Sequence, residues 1–561
     1  MSSSLTPEDI TDSTFVCDCG SWAHHACPSE PFYKEFEGKS YCVLHYPDKE
    51  KSADFKEALQ RKLDNKDFNF RGVWFPDQLS FIRFEFNQEA DFSSAIFNED
   101  ANFNSAVFST RAYFNNATFS TLVSFNSAAF SRVAYFSGAT FYANVDFNFA
   151  VFTKGADFIS TVFSKDAYFS GVSFSGEADF RAKADDAGFS VSANFRSATF
   201  GAKADFIYAK FEGADFGSAT FTAEAHFSGA VFAAVADVSA VAYFTSVTFG
   251  ARAEFNDVSF SAEAYFVSAT FSKGVDFIST GFRGGAYFIE TIFGAKANFS
   301  SATFYEKTVF TSATFKDYVT FAGNENRLIF GDRSSLDLQF ARTENPDLIS
   351  FHTLTLCPHW FVNIDPRKFD FTNVDWHWPY VDEEVKRLRT KGISHPNRLL
   401  AIVCRNLAIN AEENHRYEEA SKFRYMAMDS RRQEKWHGLA FWRLSWWYWL
   451  ASGYGERAFR AAVVLIGVWL LFALLYTQIG FARWEPKRSN EKEAMTESRD
   501  EVGEPLELPR AFTYSLGVLT LQKPEPRPTT IAAQSLVILE TILGPLQVAL
   551  LALAIRRKFM R

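Results

Sequence analysis

Phenylalanine recurs across residues 70–321 of this chain on a fixed beat. From Phe92 the positions are 97, 103, 108, 114, 119, 125, 130, 136, 141, 147, 152, 158, 163, 169, 174 and 180, so intervals of five and six alternate. The beat starts at Phe70, Phe75, Phe81 and Phe86 and continues to Phe310, Phe315 and Phe321. Two residues before most of these rings sits a small one, as in Ala90-Asp91-Phe92, Ala95-Ile96-Phe97 and Ala101-Asn102-Phe103. The unit is eleven residues long, and such self-similarity signals a repeat architecture. An 11-residue repeat can also mark a right-handed coiled coil. At about 100° per residue, however, steps of five and six scatter the rings around a helix instead of aligning them. Phe, Ser, Thr, Gly and Asn also lower helix propensity. In an extended segment residues i−2 and i share a face, so each Ala and Phe pair points inward and the residue between them outward.

Winding these segments into a coil places Phe on Phe, with Ala leaving room for the ring. If two units close one coil, Phe70 to Phe321 makes about eleven coils, a rod on the order of 50 Å at ~4.8 Å per coil. Each coil touches only its neighbours. These residues resemble the pentapeptide-repeat family, whose five-residue unit has a large apolar centre and a small residue two before it. The resemblance implies a mainly β fold, a right-handed quadrilateral β-helix, which we place at residues 70–378. This chain adds one residue at every second unit. It also slips between Phe180 and Phe189, runs in plain fives from Phe206 to Phe221, and has Val238 where Phe is expected. Local bulges or bends are predicted there. Past Phe321, Phe340, Phe351, Phe361 and the run Phe369 to Trp376 still read as short strands.

Formal net charge is -9 with both signs spread along the chain. There is no basic face to neutralise phosphates, so no nucleic-acid partner is expected. Some soluble pentapeptide-repeat proteins mimic DNA and bind type II topoisomerases, which needs a dense acidic face. Residues 81–330 carry 25 acidic and 17 basic residues, too balanced for that role. No Gly-rich phosphate loop and no nucleophile elbow appears. His352, His359 and His377 fall in irregular end coils, where packing explains them, and the chain does not read as an enzyme.

Of six cysteines, four lie within residues 17–42, and Cys357 and Cys404 are isolated. This is no disulfide framework. The start, Met1-Ser2-Ser3-Ser4 followed by Glu8, Asp9 and Asp12, reads as no cleavable signal. Residues 1–50 contain Cys17-Asp18-Cys19, His24, His25 and Cys27, then Cys42-Val43-Leu44-His45. Zinc sites use Cys-x2-His spacing, and three thiolates with one imidazole close a tetrahedral structural site. The expected ligands are Cys19, Cys27, Cys42 and His45, with Cys17 the alternative to Cys19; otherwise these are free thiols in a reducing compartment. Such a small zinc-binding domain, followed by a linker helix at 51–69, would cover the open strand edge of the solenoid.

Beyond the repeats, residues 380–435 carry apolar residues at helical spacing, among them Leu400, Val403, Leu407 and Ala411. The stretch Leu407 to Met428 resembles one tetratricopeptide-type hairpin turning near Asn414. A peptide-binding array needs three or more such units, so a connector is the expected role. Residues 436–460, with Trp436, Trp442, Trp446, Trp447, Tyr448 and Trp449 beside Arg443, Arg457 and Arg460, read as an interfacial belt. Apolar stretches follow at 461–482 and 531–555, each long enough to span a bilayer. Basic residues flank their outer ends, including Arg556-Arg557-Lys558, while residues 483–530 carry eight basic and nine acidic residues. That bias predicts a multi-pass protein of a bacterial inner membrane with both termini cytoplasmic.

Between the spans, residues 509–520 are apolar but too short to cross. The order helix, re-entrant segment, helix resembles the pore domain of the potassium-channel superfamily. That resemblance implies a homo-oligomer, a tetramer if it is a pore, with Thr520, Leu521 and Gln522 at the filter position and an inner-helix hinge at Gly544. The family's filter, Thr-Val-Gly-Tyr-Gly, needs glycines to aim its carbonyls at the ion. Here Thr520 is followed by Leu521-Gln522-Lys523-Pro524-Glu525-Pro526, with no glycine and a Lys that repels cations. Potassium selectivity is not expected. Glu540 lies ten positions into its span: it forms either an acidic ring favouring cations, or a non-conducting carboxyl that pairs with a neighbouring helix or stays protonated. Two functions follow. One is a channel-like pore with a cytoplasmic rod that senses or binds a protein partner. The other is a membrane-tethered scaffold with a degenerate, non-conducting pore module.

Overall fold

The computed structural model describes residues 15–19, 27, 30–182, 189–233, 240–323, 329–331, 333–434, 444–482 and 504–559. The chain divides into two compact units, Met1–Ile364 with Lys368–His377, and Asp365–Arg367 with Trp378–Arg561.

The first unit opens with a hairpin of β1 (Phe32–Phe36) and β2 (Lys39–Cys42), then helix α1 (Ser52–Asp64). A solenoid follows, built of short parallel strands from Trp74–Phe75 to Asp370–Trp376. One coil takes four of them, as in Ala90–Asp91, Ile96–Phe97, Ala101–Asn102 and Val107–Phe108. Partners in successive coils, such as Ala112 with Ala134 and Phe119 with Phe141, are separated by two repeat units, so two units close one coil. The column that begins at Phe70 makes eleven steps to Phe321, and Phe351 and Phe371 extend it to about 13 turns.

The alternation of five and six has a local cause. The five-residue step is a tight turn: the Ala95 N–H donates to Phe92 O at 3.0 Å, and Ser94 between them is left-handed at φ 55°. Ser105 and Asn116 repeat this at φ 57° and 55°. Asp91, just before the ring, accepts the Ser93 N–H at 2.8 Å, and Asp146 accepts that of Asn148 at 2.8 Å. These Asx turns account for the Asp or Asn that so often precedes Phe at this corner. The six-residue step is a wider corner, Asn98-Glu99-Asp100, carrying the extra residue. Coil size therefore stays constant although the plain five-residue pattern is broken.

Within a column the rings lie nearly parallel: Phe92, Phe114, Phe136 and Phe158 follow one another at 5.0, 4.8 and 4.8 Å, with tilts of 2–6°. Across the core they meet edge to face, Phe103 to Phe114 at 85° and Phe114 to Phe125 at 83°. Both arrangements suit the aromatic quadrupole and add ~0.5–1.5 kcal/mol per pair to the burial of each ring. The irregular stretches leave this core in register. Ser173 pairs with Thr199 and Thr220 with Thr248, both longer returns than the regular one from Ala112 to Ala134. Phe174 nevertheless stacks on Phe200 at 5.1 Å and Phe221 on Phe249 at 4.9 Å. The predicted irregularity after Phe180 is a register shift between Phe189 and Ser192. Val238 lies outside the described residues, and the columns pass from Phe232 to Phe260 and from Phe216 to Phe244 without a gap.

The second unit is helical. After α2 (Val381–Thr390), α3 (Pro396–Glu413) and α4 (Tyr417–Glu434) form an antiparallel hairpin turning at Asn414, with Leu400, Val403, Leu407 and Ala411 buried. Then come α5 (Leu444–Ser452), α6 (Ala458–Tyr476), α7 (Leu508–Leu519) and α8 (Ile531–Phe559). Helices α6 and α8 are long and apolar enough to cross a membrane. The first ends at Tyr476, short of the expected 482, because Gly480–Phe481 leaves the helix to pair with Glu504–Pro505. Short helix α7 packs with both through Phe472, Tyr476, Ala511, Tyr514, Val518 and Ala533.

Two outcomes test the corner geometry. At two left-handed positions that hold a large ring the next coil holds glycine: Phe149 lies over Gly171 and Tyr208 over Gly229. A Cβ on Gly171, at φ 64°, would stand 2.8 Å from the Phe149 ring. Gly171→Ala is expected to cost about 1–2 kcal/mol from its backbone alone, plus the clash. Equilibrium denaturation should show Phe149→Ser recovering the clash, with a coupling above about 0.5 kcal/mol; additive costs would refute the packing. Burial holds the Asp157 carboxyl above its usual range, with the Asp179 charge adding to the effect. Protonation is thus favoured in the folded state, and that contribution is lost as pH rises through the folded value. Asp157→Asn keeps the acceptor for the Ile159 N–H. It should raise the melting temperature at neutral pH, the gain shrinking below about pH 4.

Candidate metal centre and buried carboxylate

Cys42 ends β2, and the turn after it, with the Tyr46 N–H donating to Cys42 O at 3.0 Å, brings His45 Nδ1 to 3.1 Å from Cys42 Sγ. Cys17 sits in an extended segment held against β2. The Asp18 N–H donates to Ser40 O at 2.8 Å, and the Ser40 N–H donates to Asp18 Oδ2 at 2.7 Å. This register sets Cys17 Sγ 3.7 Å from Cys42 Sγ, with the Cys42 N–H directed at Cys17 Sγ at 3.4 Å. The ligand atoms of Cys17, Cys27, Cys42 and His45 all lie within 4.8 Å of one another, and all four residues are buried.

The donor set fits a tetrahedral metal. Zn–S bonds of about 2.3 Å place sulfurs about 3.8 Å apart, close to the spacing found. His45 Nε2 lies 3.0 Å from Arg71 O, so an N–H there turns the Nδ1 lone pair toward the sulfurs. Hydrogen bonds from Cys19 first, then Cys27 and Cys42, hold Cys17 far below the usual thiol range. Bonds to Cys17 push Cys42 up to about 12 and Cys27 well above the thiol range. One thiolate thus opposes the ionisation of the rest, a conflict that a bound dication removes. Burial pulls Lys51 down to about 6, opposed by the charges of Cys42 and Cys17, while its Nζ donates to Leu44 O at 2.8 Å. The group brought together has Cys17, the expected alternative, in the place of Cys19. Asp18 fixes Cys17 opposite Cys42, whereas Cys19, past the bend, is half-buried with its Sγ 3.9 Å from Cys27 Sγ. His24 and His25 lie outside the described residues. Four protein ligands would leave a bound metal no open coordination position, the arrangement of a structural site.

Glu540 is fully buried between three helices. It accepts hydrogen bonds from Tyr476 Oη of α6, at 2.6 Å, and from Ser515 Oγ of α7. Two turns further along the same face of α8, Gln547 Nε2 donates to Ala451 O at 2.7 Å and Ala461 O at 2.8 Å. Polar side chains on α8 therefore tie it to α5, α6 and α7 within one chain. Tyr476, Ser515 and Gln547 escaped the sequence reading, although the two-turn spacing of Glu540 and Gln547 in an apolar helix was a visible signal.

The positions named for a pore make contacts within the one chain in the described structure. Thr520 Oγ1 bonds Leu516 O at 2.9 Å and closes α7. Leu521 is left-handed at φ 61°, as is common after a helix end, and Thr520, Leu521 and Gln522 are exposed. Helix α8 runs unbroken past Gly544. A Cβ there would stand 3.3 Å from Leu519 Cα, so the glycine permits close approach of α7.

A family model described as pentapeptide repeats (9 copies) matches the chain at residues 114–162, 136–182, 185–231 and 195–242, all within the solenoid. No curated protein and no solved structure matches it.

The metal centre makes a differential prediction. Elemental analysis of purified protein should find one zinc per chain, retained in Cys19→Ser and lost in Cys17→Ser, Cys42→Ser and His45→Ala. Loss in Cys19→Ser with retention in Cys17→Ser would restore the ligand set expected from sequence.

Proposed function

We propose that this pentapeptide-repeat solenoid is a membrane-tethered scaffold, with α6 and α8 holding it at a bacterial inner membrane, both termini cytoplasmic, and its outer faces offered to a protein partner. The observation that carries this reading is the burial of Glu540 between Tyr476 and Ser515 of the same chain. Both oxygens of this carboxyl already accept a hydrogen bond from its own chain, and breaking those bonds to serve passing cations would leave it unpaired in hydrocarbon. The missing filter glycines and the exposed Thr520 to Gln522 point the same way. On one outer face of the solenoid Tyr243, Tyr265 and Tyr287 stack at 5.3 and 4.8 Å, a rigid aromatic ladder suited to protein contact. Zinc at the Cys17 cluster would stiffen the hairpin whose Leu44 O accepts the Trp74 N–H at 3.1 Å, covering the first strand edge.

A second reading, a channel-like homotetramer without potassium selectivity, is favoured by one observation. Helix α7, twelve residues long, lies between α6 and α8 in sequence and packs with both. Reconstitution into liposomes with cation-flux measurement separates the two. The scaffold predicts no flux above empty liposomes for wild type or Glu540→Gln; flux in wild type that Glu540→Gln changes would replace it with the channel.

A further inference from the structure

We infer that the second unit holds a binding site for the phosphate of an anionic phospholipid headgroup, in the cavity where α4 meets the start of α6 and the end of α8. The inference rests on reading α6 and α8 as membrane spans. The cavity, about 570 Å³, is lined by Lys422, Arg457, Arg460 and Arg557, with Glu418 and Glu456 the acidic residues among them. Glu456 is already committed. Its carboxylate, 3% exposed, accepts from Arg424 Nε at 3.0 Å, Arg557 Nη1 at 2.9 Å and Ser421 Oγ at 2.7 Å. That leaves Lys422, Arg457 and Arg460 against Glu418.

These three cations have no acidic partner among the described residues and rest instead on aromatic faces. The Arg457 guanidinium lies 4.4 Å from the Tyr425 ring, that of Arg460 4.5 Å from the Trp449 ring, and Lys422 Nζ 5.0 Å from the Trp378 ring. Cation–π contact positions a charge without using its N–H donors in ion pairs; Arg460 Nη1 donates to Trp449 O at 3.3 Å, and its remaining donors with those of Lys422 and Arg457 stay available to a phosphate. The depth also fits. Arg457 immediately precedes α6, the first apolar span, which sets the cavity at headgroup level. From it Phe459, Val463, Ile466 and Leu470 run along α6 at helical spacing, each 40% exposed or more, as a track for an acyl chain of the same lipid. A choline headgroup would add a cation to a positive cavity, so a net anionic lipid is selected over a zwitterionic one.

The test uses the full chain in detergent and in nanodiscs, with phosphatidylglycerol, phosphatidylcholine and inorganic phosphate as probes. Native mass spectrometry should show phosphatidylglycerol retained in preference to phosphatidylcholine. Lys422→Gln with Arg457→Gln should weaken that retention by roughly ten- to thirty-fold. The variant's melting temperature in lipid-free detergent should match wild type, and if it does not, the exposed single substitution Lys422→Glu is read in its place. Equal retention of both lipids, or retention unchanged in the variant, overturns the site. Stabilisation by millimolar inorganic phosphate equal to that by phosphatidylglycerol would make it a free-anion site and overturn the lipid assignment. Flotation with phosphatidylcholine liposomes is scored separately: failure to float overturns the membrane reading itself, while flotation without lipid preference overturns only the site.

Discussion

The structure depends on parallel strand pairing bringing one phenylalanine ring over another at the same spacing that backbone hydrogen bonds impose. Strands in a sheet lie about 4.8 Å apart, and offset-stacked rings favour a similar distance. Successive rings in the Phe92 column stand 4.8–5.0 Å apart over its first steps. Ladder and stack therefore reinforce each other at every coil. Two residues earlier the complement is a small side chain: Ala90, Ala112 and Ala134 are buried there, and Val275 and Val319 take the same place further along the column with the rings still 4.9–5.1 Å apart.

Because each coil contacts only its neighbours, irregularity stays local. The enlarged coils, from Ser173 to Thr199 and from Thr220 to Thr248, return to register and leave the ring columns intact. The helical unit is organised on a different principle. A few of its buried polar side chains span helices: Glu540 joins α6, α7 and α8, Gln547 joins α5 and α6 to α8, and Glu456 gathers arginines from α4 and α8. In an apolar medium such bonds fix helix positions that apolar contact alone leaves free to slide.

What was legible in the sequence follows from period. The Ala and Phe beat specified strand direction, coil length and the inward face, because side-chain alternation and the return after two units are properties of spacing alone. Spacing did not say which corner was tight; that needed the left-handed Ser94 and its equivalents. The zinc-type cluster was legible as a set of residue types. The choice of Cys17 over Cys19 was not, since both share the parity of one extended segment and only the Asp18 to Ser40 pairing separates them. Glu540 was legible as an anomaly in an apolar run. Its partners were not, because Tyr476 and Ser515 are distant in sequence, on two other helices, and meet it only through helix packing.

The most direct test of the stacked-coil architecture is the distance between spin labels carried by unnatural amino acids at the exposed positions 89 and 296. These precede Ala90 and Ala297, strands of one sheet separated by nine coil steps. At ~4.8 Å per step, pulsed dipolar spectroscopy should give about 43 Å, broadened by the linkers. A distance well beyond ~60 Å, as a continuous helix of this length would produce at ~1.5 Å per residue, would contradict it, and so would one below ~30 Å.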